Sequence, residues 1–217
     1  MRNRLAVLVP LALAVNTITA EAQVGGGAGT TLGPLVGVNS TRIVGDSVEG
    51  ENLNSRTGFV AGLQLQHSFR GGLFLRSGLL YSMRGASNAE GGTSVVFRLD
   101  YLEVPLLLGY TVPGAGQVRP FLMAGAQLGV KAKCEAEGTS GTVTVTVDCD
   151  DPDLEADVSG TDLAFVAGAG IAFSVGRGTL SVDARYAVGT KDIAKDTAAR
   201  NRGFTVAASY MFRIGGN

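Results

Sequence analysis

Apolar and polar residues alternate with a period of two along most of the chain. The alternation marks eight stretches, at 32–41, 58–70, 72–84, 97–112, 118–133, 162–175, 179–189 and 203–214. A strand places successive side chains on opposite faces, so each stretch predicts a strand with one apolar and one polar face. In the fourth, Leu102, Val104, Leu106, Leu108, Tyr110 and Val112 share one face, against Tyr101, Glu103, Pro105, Gly109 and Thr111. In the fifth, Leu122, Ala124, Ala126, Leu128, Val130 and Ala132 oppose Gly125, Gln127, Gly129, Lys131 and Lys133. In the seventh, Leu180, Val182, Ala184, Tyr186 and Val188 oppose Ser181, Asp183 and Arg185. The prediction is an all-β chain.

Alternation alone fits a soluble barrel with the apolar face inside and a membrane barrel with it outside. Three features favour the membrane. Connections two, four and six are short (71, 113–117 and 176–178), whereas one, three, five and seven are long (42–57, 85–96, 134–161 and 190–202). An up-and-down meander with this rhythm sends every long loop out of one end, as outer-membrane barrels do, with both termini at the periplasmic end. The aromatics of the apolar face also fall near strand ends. Phe69, Tyr110, Phe173, Tyr210 and Phe212 lie near the periplasmic ends, and Phe59, Tyr81, Phe165, Tyr186 and Phe204 near the outer ends. Two interfacial girdles have this distribution. Finally, the other face carries Arg76, Arg84, Glu103, Lys131, Asp183 and Arg185. An eight-stranded barrel has room inside for side chains. Glu103 and Asp183 are expected there to pair with Arg76, Arg185 or both. The soluble alternative turns the same charges to water.

Composition extends this picture. The chain is poor in charge (17%), slightly apolar in mean hydropathy (+0.23) and rich in glycine (32 of 217 residues), which suits strands meeting a non-aqueous surface. A net charge of −1 gives no reason to expect a nucleic-acid partner. The N-terminus reads as a secretory signal over 1–22. Arg2 and Arg4 precede the apolar stretch from Leu5 to Val15, and Ala20-Glu21-Ala22 offers a cleavage site before Gln23. The apolar stretch is too short for a membrane helix, which needs about 20 residues. Residues 23–31 read as a flexible segment, and 32–217 as the barrel. In an exported chain Cys134 and Cys149 are expected to form one disulfide, contributing roughly 3 kcal/mol through loop closure. Two free thiols are the alternative.

The segments Leu79-Leu80-Tyr81 to Gly85, Tyr101-Leu102-Glu103-Val104-Pro105-Leu106-Leu107 and Arg119-Pro120-Phe121 to Gly125, together with Gly168-Ala169-Gly170 and Asp183-Ala184-Arg185-Tyr186, carry a family resemblance. The chain resembles the PorT-type outer-membrane-protein β-barrel domain, one of the small eight-stranded barrels of OmpA and OmpX type. The resemblance implies an eight-stranded antiparallel up-and-down transmembrane barrel. It also accounts for Pro105, which otherwise argues against a mid-sheet strand. It transfers no catalytic residue, because most members have no assigned activity. Tyr210-Met211-Phe212 is similar to the terminal-strand signal read by the outer-membrane assembly machinery, although Arg213 to Asn217 follow it.

Candidate chemistry is sparse. His67 is the only histidine, and its parity puts it on the apolar face, away from any nucleophile–base pair. No cofactor motif is present; the glycine-rich tail lacks phosphate-loop spacing. From Glu135 in the fifth connection to Asp162 at the start of the sixth stretch the chain carries nine carboxylates. Asp148, Asp150, Asp151 and Asp153 are hard oxygen ligands that suit Ca²⁺ or Mg²⁺, or divalent bridging to lipopolysaccharide. Their spacing is not that of an EF-hand, which favours a plain solvated loop. Within that connection, 141–147 alternates threonine and valine as an outlying hairpin would. The leading expectation is a monomeric, non-enzymatic outer-membrane barrel that displays its loops. A narrow pore, a lipid-active enzyme and a soluble periplasmic barrel are the alternatives.

Overall fold

A computed structural model describes residues 28–44, 54–90, 93–113, 118–148, 160–190 and 200–215. The signal segment 1–22 and its cleavage site lie outside the described residues. Nine strands occur in these segments: β1 (Gly29–Val44), β2 (Asn54–Ser68), β3 (Leu73–Glu90), β4 (Thr93–Thr111), β5 (Val118–Ser140), β6 (Val143–Asp148), β7 (Thr161–Val175), β8 (Gly178–Gly189) and β9 (Arg200–Ile214). All pairings are antiparallel. Eight of the strands close a ring in the order β1-β2-β3-β4-β5-β7-β8-β9, with β9 pairing back onto β1, and β6 hangs on β5 outside the ring.

Closure needs stagger as well as strand number. From Thr30 the paired residues run His67, Leu75, Leu108, Ala124, Ala167, Tyr186 and Phe204, and return to β1 at Ser40, ten residues further along. The strands are therefore strongly tilted, and residues from distant strands meet inside at one level. A closed ring leaves no unpaired edge within the band that lipid would cover.

The faces follow the alternation. Along β4, Leu102, Val104, Leu106, Leu108 and Tyr110 are exposed, while Tyr101, Glu103, Pro105, Leu107 and Gly109 are buried. Of the girdle aromatics, Phe59, Phe69, Tyr81, Tyr110, Phe165, Tyr186, Phe204 and Phe212 are exposed on the outside, and Phe173 and Tyr210 are half-buried there. The apolar face points outward, as a lipid-facing band requires.

Four details differ from expectation. Residues 29–31 belong to β1 rather than to a flexible lead, because Thr30 is paired on both sides, with His67 and with Ile214. Two-sided backbone pairing overrides the weak strand propensity of a glycine-rich start. The third connection is mostly strand: β3 and β4 stay paired out to Glu90 and Thr93. Its residues lack apolar–polar alternation, which removes the sequence signal but not the hydrogen bonds. β5 likewise continues to Ser140, so β3, β4, β5 and β6 stand above the ring as one sheet. Lys133, expected on the inner face, is turned outward by an irregularity at Asp100/Tyr101 that shifts the pairing of β4 with β5.

Candidate functional site

The interior is the first place to look for chemistry, since that face is polar. Its residues fall into two ionic layers separated by an apolar one.

The layer nearer the termini centres on Asp183 of β8. Its carboxylate lies 3.2 Å from Nη1 of Arg76 on β3 and 2.5 Å from Nε of Arg185. Arg76 also donates to Gln66 Oε1 at 2.8 Å, and Arg185 donates to Gln64 Oε1 at 2.9 Å. Gln64 donates to Ser209 at 3.1 Å, and Ser209 meets Ser181 at 2.8 Å. The Arg76 guanidinium sits over two rings, 5.1 Å from the centroid of Phe74 and 4.7 Å from that of Phe121. The rings meet edge to face at 5.7 Å. Cation–π attraction strengthens as water is excluded, and this guanidinium is almost wholly buried.

The layer nearer the outer mouth centres on Arg84 of β3. Its guanidinium lies 2.5 Å from Glu103 and 3.2 Å from Asp162, and 5.7 Å from the Tyr101 ring. Asn201 donates to the same Asp162 oxygen at 3.3 Å. Asn39 donates to Ser82 at 2.9 Å. Lys131 is half-buried opposite Tyr101. Between the layers, Leu35, Val60, Leu80 and Ala207 form a buried apolar cluster. Beside it is a cavity of about 20 Å³, room for one water molecule.

The pairing of Glu103 corrects the expectation. It binds Arg84, not Arg76 or Arg185. Glu103 is level with Leu80 on β3, midway between Arg76 and Arg84, and Arg76 is engaged by Asp183 across the barrel. Asp162 belongs to this interior too, although in the sequence it reads as the last of the run of nine acids that starts at Glu135. Its parity with Ala164 and Val166, both buried, was the available signal. Several inner glycines lie directly against large side chains. A side chain at Gly109 would fall 2.1 Å from the Phe74 ring, one at Gly170 2.5 Å from Phe121, and one at Gly168 3.1 Å from Met123. The glycines are the floor on which large neighbouring side chains lie, so the space they leave is filled.

The remaining candidates lie elsewhere. His67 faces outward near the termini, hydrogen-bonded to Thr30 at 2.9 Å and edge-on to Phe69 at 4.8 Å. Asp148 ends β6 opposite Glu135; Asp150, Asp151 and Asp153 lie outside the described residues, among which no metal-binding group of side chains occurs. Cys134 is buried with Leu99 and Tyr101 at the outer mouth, and Cys149 lies outside the described residues. On the outer face of the protruding sheet, Arg98 pairs with Glu137 at 2.8 Å and Lys133 with Glu135 at 2.9 Å.

A closed eight-stranded ring, an apolar outer face and an ion-paired interior define a small outer-membrane-type barrel. The chain belongs to the outer membrane protein beta-barrel domain family, whose model matches residues 22–195, and its place is the bacterial outer membrane. Among solved structures it is similar to Neisserial surface protein A (16% identity, 87% of this chain and 99% of that one covered, TM-score 0.49). It is also similar to the attachment invasion locus protein Ail of Yersinia pestis (16%, 85% and 99%, TM-score 0.42). A third similarity is to OprG of Pseudomonas aeruginosa (10%, 87% and 97%, TM-score 0.44). No curated protein matches the chain.

Proposed function

We propose that this protein is a non-conducting anchor that holds its outer connections and the protruding β3–β6 sheet at the cell surface. The observation that carries this reading is the filled interior: two ion-paired layers, with Phe74, Phe121, Met123 and Tyr101 laid over the inner glycines. A transport barrel needs a continuous path, and the cavity between the two ionic layers has room for about one water. Purified protein in planar lipid bilayers is expected to give no steady conductance steps. Reproducible open-channel steps would instead support the narrow-pore reading.

The same reading makes the protein a binder or spacer rather than a catalyst. The chain's single histidine is on the outer wall, away from the interior serines Ser82, Ser181 and Ser209. The PorT-type affinity suggested by the strand around Glu103 and Pro105 belongs to this proposal. So do a monomeric state, lipopolysaccharide as the surrounding lipid, and delivery through the outer-membrane assembly machinery by way of Tyr210-Met211-Phe212. Export and oxidation complete it. The intact mass of protein purified from outer membranes should correspond to a chain beginning at Gln23 and carrying one Cys134–Cys149 disulfide. A mass retaining residues 1–22, or two alkylatable thiols without reductant, would overturn the respective part.

A further inference from the structure

The outer wall of β1 and β9 ends in arginines. Arg42 of β1 stands directly opposite Arg202 of β9, and both are exposed. Arg200 follows two residues further out on the same face of β9, level with Val44. Two residues the other way, Ser40 is level with Phe204, and Phe204 with Tyr186 of β8; both rings are exposed on the outer girdle. Two residues of strand span roughly 6–7 Å. The guanidinium groups of Arg42 and Arg202 therefore stand just beyond the aromatic level, where acyl chains give way to headgroups.

Directly opposed residues hold their Cβ atoms about 5 Å apart, and like charges so placed destabilise a sheet. Among the described residues no carboxylate pairs with Arg42 or Arg202, although Arg98 and Lys133, elsewhere on the outer rim, each have a glutamate. Two forked cations side by side at headgroup depth match a phosphate, whose oxygens take paired N–H donors from guanidinium. The exposed rings of Phe204, below Arg202 on β9, and of Tyr186 beside it on β8 offer a surface for the acyl chain attached to that phosphate.

We propose that Arg42 and Arg202, with Arg200 beyond them and Phe204 and Tyr186 beneath, bind the phosphate of a phosphorylated glycolipid of the outer leaflet, of lipid A type. The bound phosphate relieves the repulsion between the two arginines and fixes the barrel's depth on that side. The site depends on the barrel's membrane location, not on whether its interior conducts, so the conductance measurement cannot decide it.

The test is native mass spectrometry of the full mature protein in zwitterionic micelles. The probes are diphosphorylated lipid A, the same lipid stripped of phosphate, and inorganic phosphate. Wild type should retain the diphosphorylated lipid in preference to the other two. Arg42→Gln with Arg202→Gln should weaken that retention by about tenfold or more, as expected for losing charge-assisted hydrogen bonds, and erase the preference for the phosphorylated form. Heat-shifted mobility in detergent gels checks that the double variant is folded; if it is not, each single variant is read in its place. Equal retention by wild type and the folded variant overturns the proposal. Equal retention of lipid with and without phosphate overturns it as well. Inorganic phosphate bound as tightly as the lipid would make this a free-anion site and overturn the lipid assignment.

Discussion

Asp183→Ala is expected to destabilise the folded barrel by about 3–5 kcal/mol, the usual cost of removing one partner from a buried charge set. Asp183 is the carboxylate shared by Arg76 and Arg185, and its side chain is fully shielded from solvent. Without it, two guanidinium groups face each other across the lumen with only glutamine and sulfur acceptors left. Neither can shed its proton in the accessible pH range. The deficit should therefore be nearly the same at pH 5 and pH 8. Urea titration of the refolded barrel in lipid vesicles measures it. A loss well under 1 kcal/mol would mean the layer is hydrated rather than closed.

Arg84→Ala is expected to cost a similar amount at neutral pH and to behave differently as pH falls. Arg84 is the cation between Glu103 and Asp162. Its removal leaves two buried carboxylates, and carboxylates, unlike guanidinium groups, can be neutralised by a proton. In the variant, the folded state holds these acids close together and away from water, so it takes up protons more readily than the unfolded chain. Stability then rises as pH falls, since the folded state binds the more protons. The gap between variant and wild type should narrow as pH approaches the ordinary carboxylate range near about 4. Parallel urea titrations across pH decide it: a gap that stays constant or widens toward acid would contradict a dry outer-mouth layer. Together the two variants distinguish an interior excess of positive charge from one of negative charge.

The wall of the barrel was legible in the sequence because lipid on one side and packed polar groups on the other impose a strict alternation. Leu102 to Tyr110 states it almost without exception. The plug was legible only in part. That Asp183 and Arg185 face inward follows from parity, but which charges meet depends on a stagger of ten residues around the ring, and stagger leaves no local mark. Glu103 and Arg84 are partners for that reason. Phe74 and Phe121 escaped notice because an apolar residue on the polar face looks like a lapse in the pattern. It is meaningful only once Gly109 and Gly170 are seen beneath the rings. The protruding strands were hidden because alternation ends before pairing does: beyond Gly85 the residues of β3 and the start of β4 lose it, yet every pairing is kept out to Glu90.

The ion pairs also bear on how the barrel is made. Arg76 and Asp183 are 107 residues apart in sequence, and Arg84 and Asp162 are 78 apart. Neither pair can form while the ring is open. A partly assembled barrel entering the bilayer would bring those charges against hydrocarbon along with unpaired strand edges, at several kcal/mol for each unsatisfied group. Insertion and closure should therefore be a single concerted event. Its rate would be governed by the slow search for distant contacts, and trapped half-barrels should be scarce.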